Sequence, residues 1–141
     1  MCANFEAIRK NRAFLLDLPE PDQLEFPEDI FPNYPSPLIF SNDGKIEWRS
    51  VNFGIIPKWA KEKSFGKYTY NARTETIADK PSFREDWHKS QFGLIPVETI
   101  FEPKYIDGKS HWYGIAREDG MPFTVAAIYE NAVIAGEQIR S

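Results

Sequence analysis

One cysteine and two histidines are present in 141 residues, and that scarcity removes several kinds of protein at once. A single Cys cannot staple a fold with a disulfide inside the chain, nor form a structural zinc site alone. His88 and His111 are too few and too far apart for a metal-ligand spacing, so both read as ordinary surface or half-buried side chains, and no metal or cofactor is expected. No apolar run approaches the roughly 20 residues that cross a membrane as a helix. The opening, Met1-Cys2-Ala3-Asn4-Phe5-Glu6, has neither the basic flank nor the apolar stretch of a secretory signal. The expected location is therefore cytoplasmic, with no membrane partner.

What the chain does have is apolar and aromatic material: 42% of residues are hydrophobic and 15% aromatic, enough for one core in one domain spanning 1–141. Its net charge of −4 hides an uneven distribution. From Asp17 to Glu47 eight acids face the lone base Lys45, whereas from Trp48 to Gln91 nine bases outnumber five acids. A basic stretch with Trp59, Phe65, Tyr68 and Tyr70 interleaved suits a single-strand binding groove, cations for phosphates and flat rings for bases. A solvated basic face over core aromatics explains the same pattern equally well.

Periodicity and turn residues give a coarse order of elements. Phe5 to Leu16 can form a short amphipathic helix ended by Pro19 and Pro21. Glu25 to Pro37, with four prolines, reads as an extended loop. Leu38-Ile39-Phe40 and Lys45 to Phe53 read as strands around the Asn42-Asp43-Gly44 turn. Pro57 should stop the second strand and leave Trp59 on an ordered loop. Ser82 with Glu85 three positions on is a capping box for a helix carrying Phe83 and Trp87 on one face. Phe92 to Ile95, Thr99 to Ile106, Ser110 to Ala116 and Phe123 to Tyr129 read as further strands, with Asp107-Gly108 and Asp119-Gly120 as hairpin turns. The expected fold class is α+β, mainly antiparallel β, a barrel or strongly curved sheet with a few flanking helices.

Four pieces in this order, Met1-Cys2, Phe53-Gly54-Ile55-Ile56-Pro57-Lys58-Trp59-Ala60, Asn71-Ala72-Arg73-Thr74-Glu75-Thr76 and Phe101-Glu102, resemble the SRAP family, the SOS-response-associated peptidase-like proteins that handle abasic DNA. Pro81-Ser82-Phe83-Arg84 follows the third piece as in the family, and Phe-Glu-Pro at 101–103 is similar to a bacterial subgroup. The resemblance implies an SRAP-like curved sheet, Cys2 as nucleophile, Asn71 as active-site asparagine and Glu102 as catalytic acid. It implies Arg73 on a DNA phosphate, Trp59 against unstacked bases, and Lys58 and Arg84 on the same DNA-binding side. The partner implied is single-stranded DNA containing abasic sites. Two features depart from the pattern. The usual opening Met-Cys-Gly-Arg is here Met1-Cys2-Ala3-Asn4, and family members carry a later histidine that this chain does not reach before Ser141. The expected domain is thus incomplete at its C-terminus, with an open sheet edge suited to self-association.

The residue chemistry fits that expectation. Methionine aminopeptidases act when the second residue is small, so removal of Met1 would expose the amine and thiol of Cys2 together. Their ordinary pKa values, about 8 and about 8.5, leave both partly nucleophilic near neutral pH. The amine can form a Schiff base with the aldehyde of an abasic sugar, and the thiol can close a thiazolidine. Glu102 can move the protons and Asn71 can orient the reacting groups. Taken alone, Glu102 is equally a solvent-facing strand carboxylate and Asn71 a turn-stabilising amide. Two other functions use the same residues. One is an autoprocessing cysteine-type peptidase, and the other is a non-catalytic module for single-stranded DNA in which Cys2 is incidental.

Overall fold

The computed structural model describes residue 2 and residues 4–141. Met1, on whose removal the expected chemistry depends, and Ala3 lie outside the described residues. The architecture is built on one long strand, β5 (Phe92–Ile106), which runs through Pro96 where two shorter strands are expected. One edge of β5 pairs with β1 (Asn4–Ala7) and β3 (Pro35–Asn42); the other pairs with β6 (Lys109–Ile115) and β7 (Phe123–Ile128). β2 (Asp29–Ile30) flanks β1, and β4 (Lys45–Asn52) flanks β3, all antiparallel. The seven-stranded sheet curls into a half-barrel, and a separate hairpin of β8 (Asn131–Ile134) and β9 (Glu137–Arg140) packs beside it. Helix is confined to two 3-10 segments, Lys10–Leu16 and Lys63–Tyr68, and one short α-helix, α1 (Arg84–His88). No helix among the described residues is long and apolar enough to cross a membrane.

Several local expectations are corrected, and each correction has a tertiary cause. The helix expected over Phe5 to Leu16 is instead β1 followed by a 3-10 turn. Phe5 and Ala7 are each 2% exposed on one face, and β1 has a partner strand on both edges, so sheet pairing satisfies its backbone more fully than an isolated turn of helix. Pro35 and Pro37 lie inside β3 rather than in a loop; at alternate positions, their missing N–H groups share one edge of the strand. Pro96 is accommodated similarly. The register slips from Glu6↔Thr99 to Ala7↔Val97 beside it, a bulge where an N–H is lacking. Ser82 does not cap α1: Phe83 occupies that position without a side-chain cap, and Glu85 binds Lys58 and Lys89 instead. Asp119-Gly120 does not turn a hairpin, because β6 and β7 lie along the same edge of β5 rather than against each other. Past Tyr129 the chain forms a hairpin, in which Ala135 and Gly136, at φ 50° and 81°, make the two-residue turn that such hairpins favour.

The main core lies on one face of the sheet, where Phe5, Ile30, Leu38, Val51, Phe53 and Val97 converge and Phe5 meets Phe53 edge-on at 5.1 Å. Each such side chain contributes about 1.5–3 kcal/mol on burial. A second cluster joins Ile56 and Ala60 to Ala132, Ile134 and Ile139 of the hairpin. Between β4 and these residues, Gly54 adopts φ +117° against the backbone of Gly66, where an added Cβ would stand 2.1 Å from the Gly66 carbonyl oxygen. Gly54→Ala should therefore lower stability by about 2–4 kcal/mol. Gly44→Ala, at φ +78° with open space around it, should cost only ~1 kcal/mol. Urea denaturation of both variants checks this; equal losses would show that the Gly54–Gly66 contact is not tightly packed.

Candidate active site

Backbone pairing brings the ends of the motif set together. Asn4 stands opposite Phe101 in the β1–β5 ladder, which carries Cys2, just ahead of β1, to the neighbourhood of Glu102. Cys2 is half-buried against the main core, and its thiol donates to the Asn4 carbonyl at 3.2 Å. Asn71 Nδ2 donates to the Cys2 carbonyl at 2.9 Å. Burial first, and then the negative charge of Glu102, push the Cys2 thiol up to about 11, with a hydrogen bond from the Phe101 backbone working the other way. Cys2, Asn71 and Glu102, separate in sequence, thus form one cluster beside the main core.

The expected DNA-side residues are distributed less simply. Trp59 is 55% exposed and meets Phe65 edge-on at 5.0 Å; Phe65 meets Tyr68, itself 72% exposed, at 6.2 Å. With Lys61, Ser64 and Lys67 these rings line an open cleft of about 500 Å3, and Lys67 lies over the Tyr68 ring at 4.9 Å. Arg73 is exposed in the turn that follows Asn71, its carbonyl accepting from Thr76 and Ile77. Arg84 is exposed at the start of α1. Lys58 is exposed but engaged, 2.8 Å from Glu85 and 3.7 Å from the buried Glu130, and the Glu85 hydrogen bond raises its pKa.

Some residues that organise this region are silent in the sequence. Asp86 and Glu130 are 1% and 3% exposed. Burial and the adjacent Glu130 push Asp86 well above the usual carboxylate range, while Gln91 Nε2 donates to Asp86 at 2.7 Å and to the Tyr129 carbonyl at 2.8 Å. The pair holds α1 against the chain after β7, and nothing in the spacing of two distant acids signals it. Asn33 and Asn52 belong with them, and here the sequence carries a signal: an asparagine after Pro32 and an amide just ahead of Phe53-Gly54 are residues that cap such turns. His88 and His111 are both exposed, and among the described residues no three His, Cys, Asp or Glu side chains stand together as a metal site.

Known proteins share sequence and fold with this chain. The abasic site processing protein YoqW of Bacillus subtilis is 36% identical over 88 residues, covering 62% of this chain and 37% of YoqW. The abasic site processing protein YMR114C of Saccharomyces cerevisiae is 30% identical over 116 residues, covering 77% of this chain and 31% of that protein. The matched stretches thus span about a third of these curated relatives. A crystal structure of a Bordetella bronchiseptica protein superposes with a TM-score of 0.85 at 28% identity, covering 99% of this chain and 69% of its own. One from Bacteroides thetaiotaomicron gives 0.79 at 25% identity, covering 99% and 65%. The family model for SOS response associated peptidase (SRAP) matches residues 1–141, and the chain belongs to that family.

Proposed function

We propose that the chain captures abasic sites in single-stranded DNA covalently, through the amine and thiol of Cys2 after an aminopeptidase has removed Met1. The observation that carries this reading is the convergence on Cys2: its carbonyl is held by Asn71 at 2.9 Å while the charge of Glu102 acts on its thiol. A carbonyl fixed in this way keeps the amine and thiol of the same residue in one orientation, which is the positioning that an intramolecular two-step capture needs.

The chemistry balances without any redox partner. In the ring-opened sugar the Cys2 amine nitrogen bonds to the aldehyde carbon. Glu102 carries the two protons of that nitrogen in turn to the former aldehyde oxygen, which leaves as water to give a Schiff base. The thiol sulfur then bonds to the same carbon, its proton passing through Glu102 towards the ring nitrogen, which closes the five-membered thiazolidine. With the thiol pushed up to about 11 in the Met1-bearing chain, the amine, ordinarily near 8, is the stronger candidate for the first attack near neutral pH. An unpaired strand lets the abasic sugar enter without the cost of breaking base pairs. Its neighbours would stack in the Trp59–Phe65–Tyr68 cleft, while Arg73 and Arg84 meet phosphates. Lys58, already paired with Glu85 and Glu130, joins them only by giving up those contacts.

The Met-processed protein incubated with an abasic single-stranded oligonucleotide should give a shifted band on a denaturing gel, absent with intact DNA. Cys2→Ala should abolish the band, and its persistence there sinks the thiazolidine route. Glu102→Gln should slow capture about 100-fold. Arg73→Ala should weaken binding of intact strands alike for all sequences, with a shallower salt dependence. Peptide turnover without any DNA adduct would favour amide hydrolysis by the same thiol.

The thiol makes its own prediction. In the chain that retains Met1, iodoacetamide alkylation of Cys2 should keep accelerating with pH up to about 11 instead of levelling near the ordinary thiol value of 9.0. Only the thiolate reacts, and both burial and Glu102 disfavour it. Glu102→Gln should move the inflection down, though not to 9.0, since burial is the larger cause. An inflection unmoved by that substitution would show that the carboxylate does not act on the sulfur.

A further inference from the structure

Asn52, the last residue of β4, spends both hydrogens of its side-chain amide: Nδ2 donates to Asn33 Oδ1 at 3.1 Å and to the Gly54 carbonyl at 2.9 Å. Asn33, held at φ 71° with its own N–H on the Phe53 carbonyl at 2.7 Å, turns its Nδ2 to the Ser64 carbonyl at 3.3 Å. The 3-10 segment Lys63–Tyr68 rests on these two amides through Gly66. A Cβ there would stand 2.3 Å from Asn33 Oδ1 and 2.8 Å from Asn52 Nδ2. From Gly66 hydrogen bonds run to Thr69 and Ile55, and the backbone carries on from Thr69 to Asn71. The Gly66 carbonyl accepts from the Thr69 N–H at 3.1 Å, the Thr69 hydroxyl donates to the Ile55 carbonyl, and Ile55 N–H returns to the Thr69 carbonyl at 3.3 Å. Two residues on, Asn71 holds Cys2.

Hydrophobic burial does little to fix this segment, because Lys61, Glu62, Lys63, Ser64, Lys67 and Tyr68 are all exposed. Phe65, packed on the Ile56–Ala60 cluster, keeps it attached. Attachment by one ring and the exposed Lys63–Glu137 ion pair leaves the segment free to slide or tilt; directional hydrogen bonds remove that freedom. We propose that Asn52 is a positioning residue, which fastens the aromatic cleft to the strand end and so sets its distance and orientation relative to Cys2 and Asn71. A strand seated in the cleft then presents its abasic sugar to the amine within bonding reach. This inference rests on the capture reading above, and it adds the residue on which the match between DNA seat and nucleophile depends.

Two isosteric substitutions break the clamp at its two ends, and an uncharged one separates positioning from charge. Asn52→Asp replaces the nitrogen that carries both donors with an oxygen that faces the Asn33 and Gly54 acceptors and so repels them. Asn33→Asp keeps the oxygen that accepts from Asn52 but sets an oxygen against the Ser64 carbonyl in place of Nδ2, and Asp tolerates the positive φ. Capture of an abasic strand at saturating concentration should slow about tenfold or more in Asn52→Asp, because small misplacements of reacting groups cost that much or more. Asn33→Asp should slow capture by a similar factor, and the two variants should bind an intact strand within about threefold of one another. A parent-like saturated rate in Asn52→Asp, folded by circular dichroism, overturns the proposal. Should Asn52→Asp unfold, Asn52→Ala removes the donors without added charge and carries the same expectation; unfolding of both assigns Asn52 to the fold and overturns it as well. If the parent chain captures no abasic DNA at all, the functional reading fails by itself. The clamp is then read from Cys2 alkylation, whose rate an intact strand bound in the cleft should change in the parent and leave unchanged in Asn52→Asp. An unchanged rate in the parent counts against it.

Discussion

The ladder between Asn4–Ala7 and the middle of β5 is the constraint from which the rest follows. Residues near a chain end are poorly ordered unless something ties them down. Here main-chain pairing supplies the anchor. Asn4 opposite Phe101 brings Cys2 to Glu102, the Asn71 amide takes up its carbonyl, and the core under Phe5 and Phe53 fixes the ladder in turn. Remove the pairing and Cys2 is a half-exposed thiol on a loose end.

The same anchoring shapes the electrostatics of the thiol. Burial against the core, together with the Glu102 charge, holds it protonated well past neutral pH. In many enzymes a cysteine is activated by lowering its pKa. A site that first uses an amine and only then a thiol has no need of an early thiolate, and a thiol that stays neutral until the Schiff base forms is protected from side reactions. The acid that raises the thiol pKa is also the acid that can move protons for the amine, so one carboxylate serves both steps of the proposed route.

Around this centre, polar side chains do what apolar packing does elsewhere. Trp59 and Tyr68 are exposed along the aromatic cleft, so burial does not lock those rings. Asn33, Asn52 and Thr69 hold the supporting backbone instead, and Gly54 and Gly66 let the two backbones touch. A second set, Asp86, Glu130, Gln91 and Lys58, ties α1 to the chain after β7. Both networks replace missing core with directional bonds at the edges of a curled sheet.

Sequence alone determined the order and kind of most elements. Alternating apolar residues marked the strands from Leu38 onward, Asp43-Gly44 and Asp107-Gly108 marked true hairpins, and the ordered motifs at Cys2, Phe53, Asn71 and Phe101 marked the family. It could not place β1, because Phe5-Glu6-Ala7-Ile8 is compatible with either period over so few residues, and only strands on both of its edges decide for a sheet. It missed the paired state of Lys58, the buried Asp86–Glu130 contact and the Asn33–Asn52 amides, since each depends on residues remote in sequence that meet only when β4, β5 and the segment after Gly54 close together. Local pattern carries information about local backbone preference. Which donor faces which acceptor is fixed by the geometry of the closed fold, and that geometry belongs to the tertiary structure.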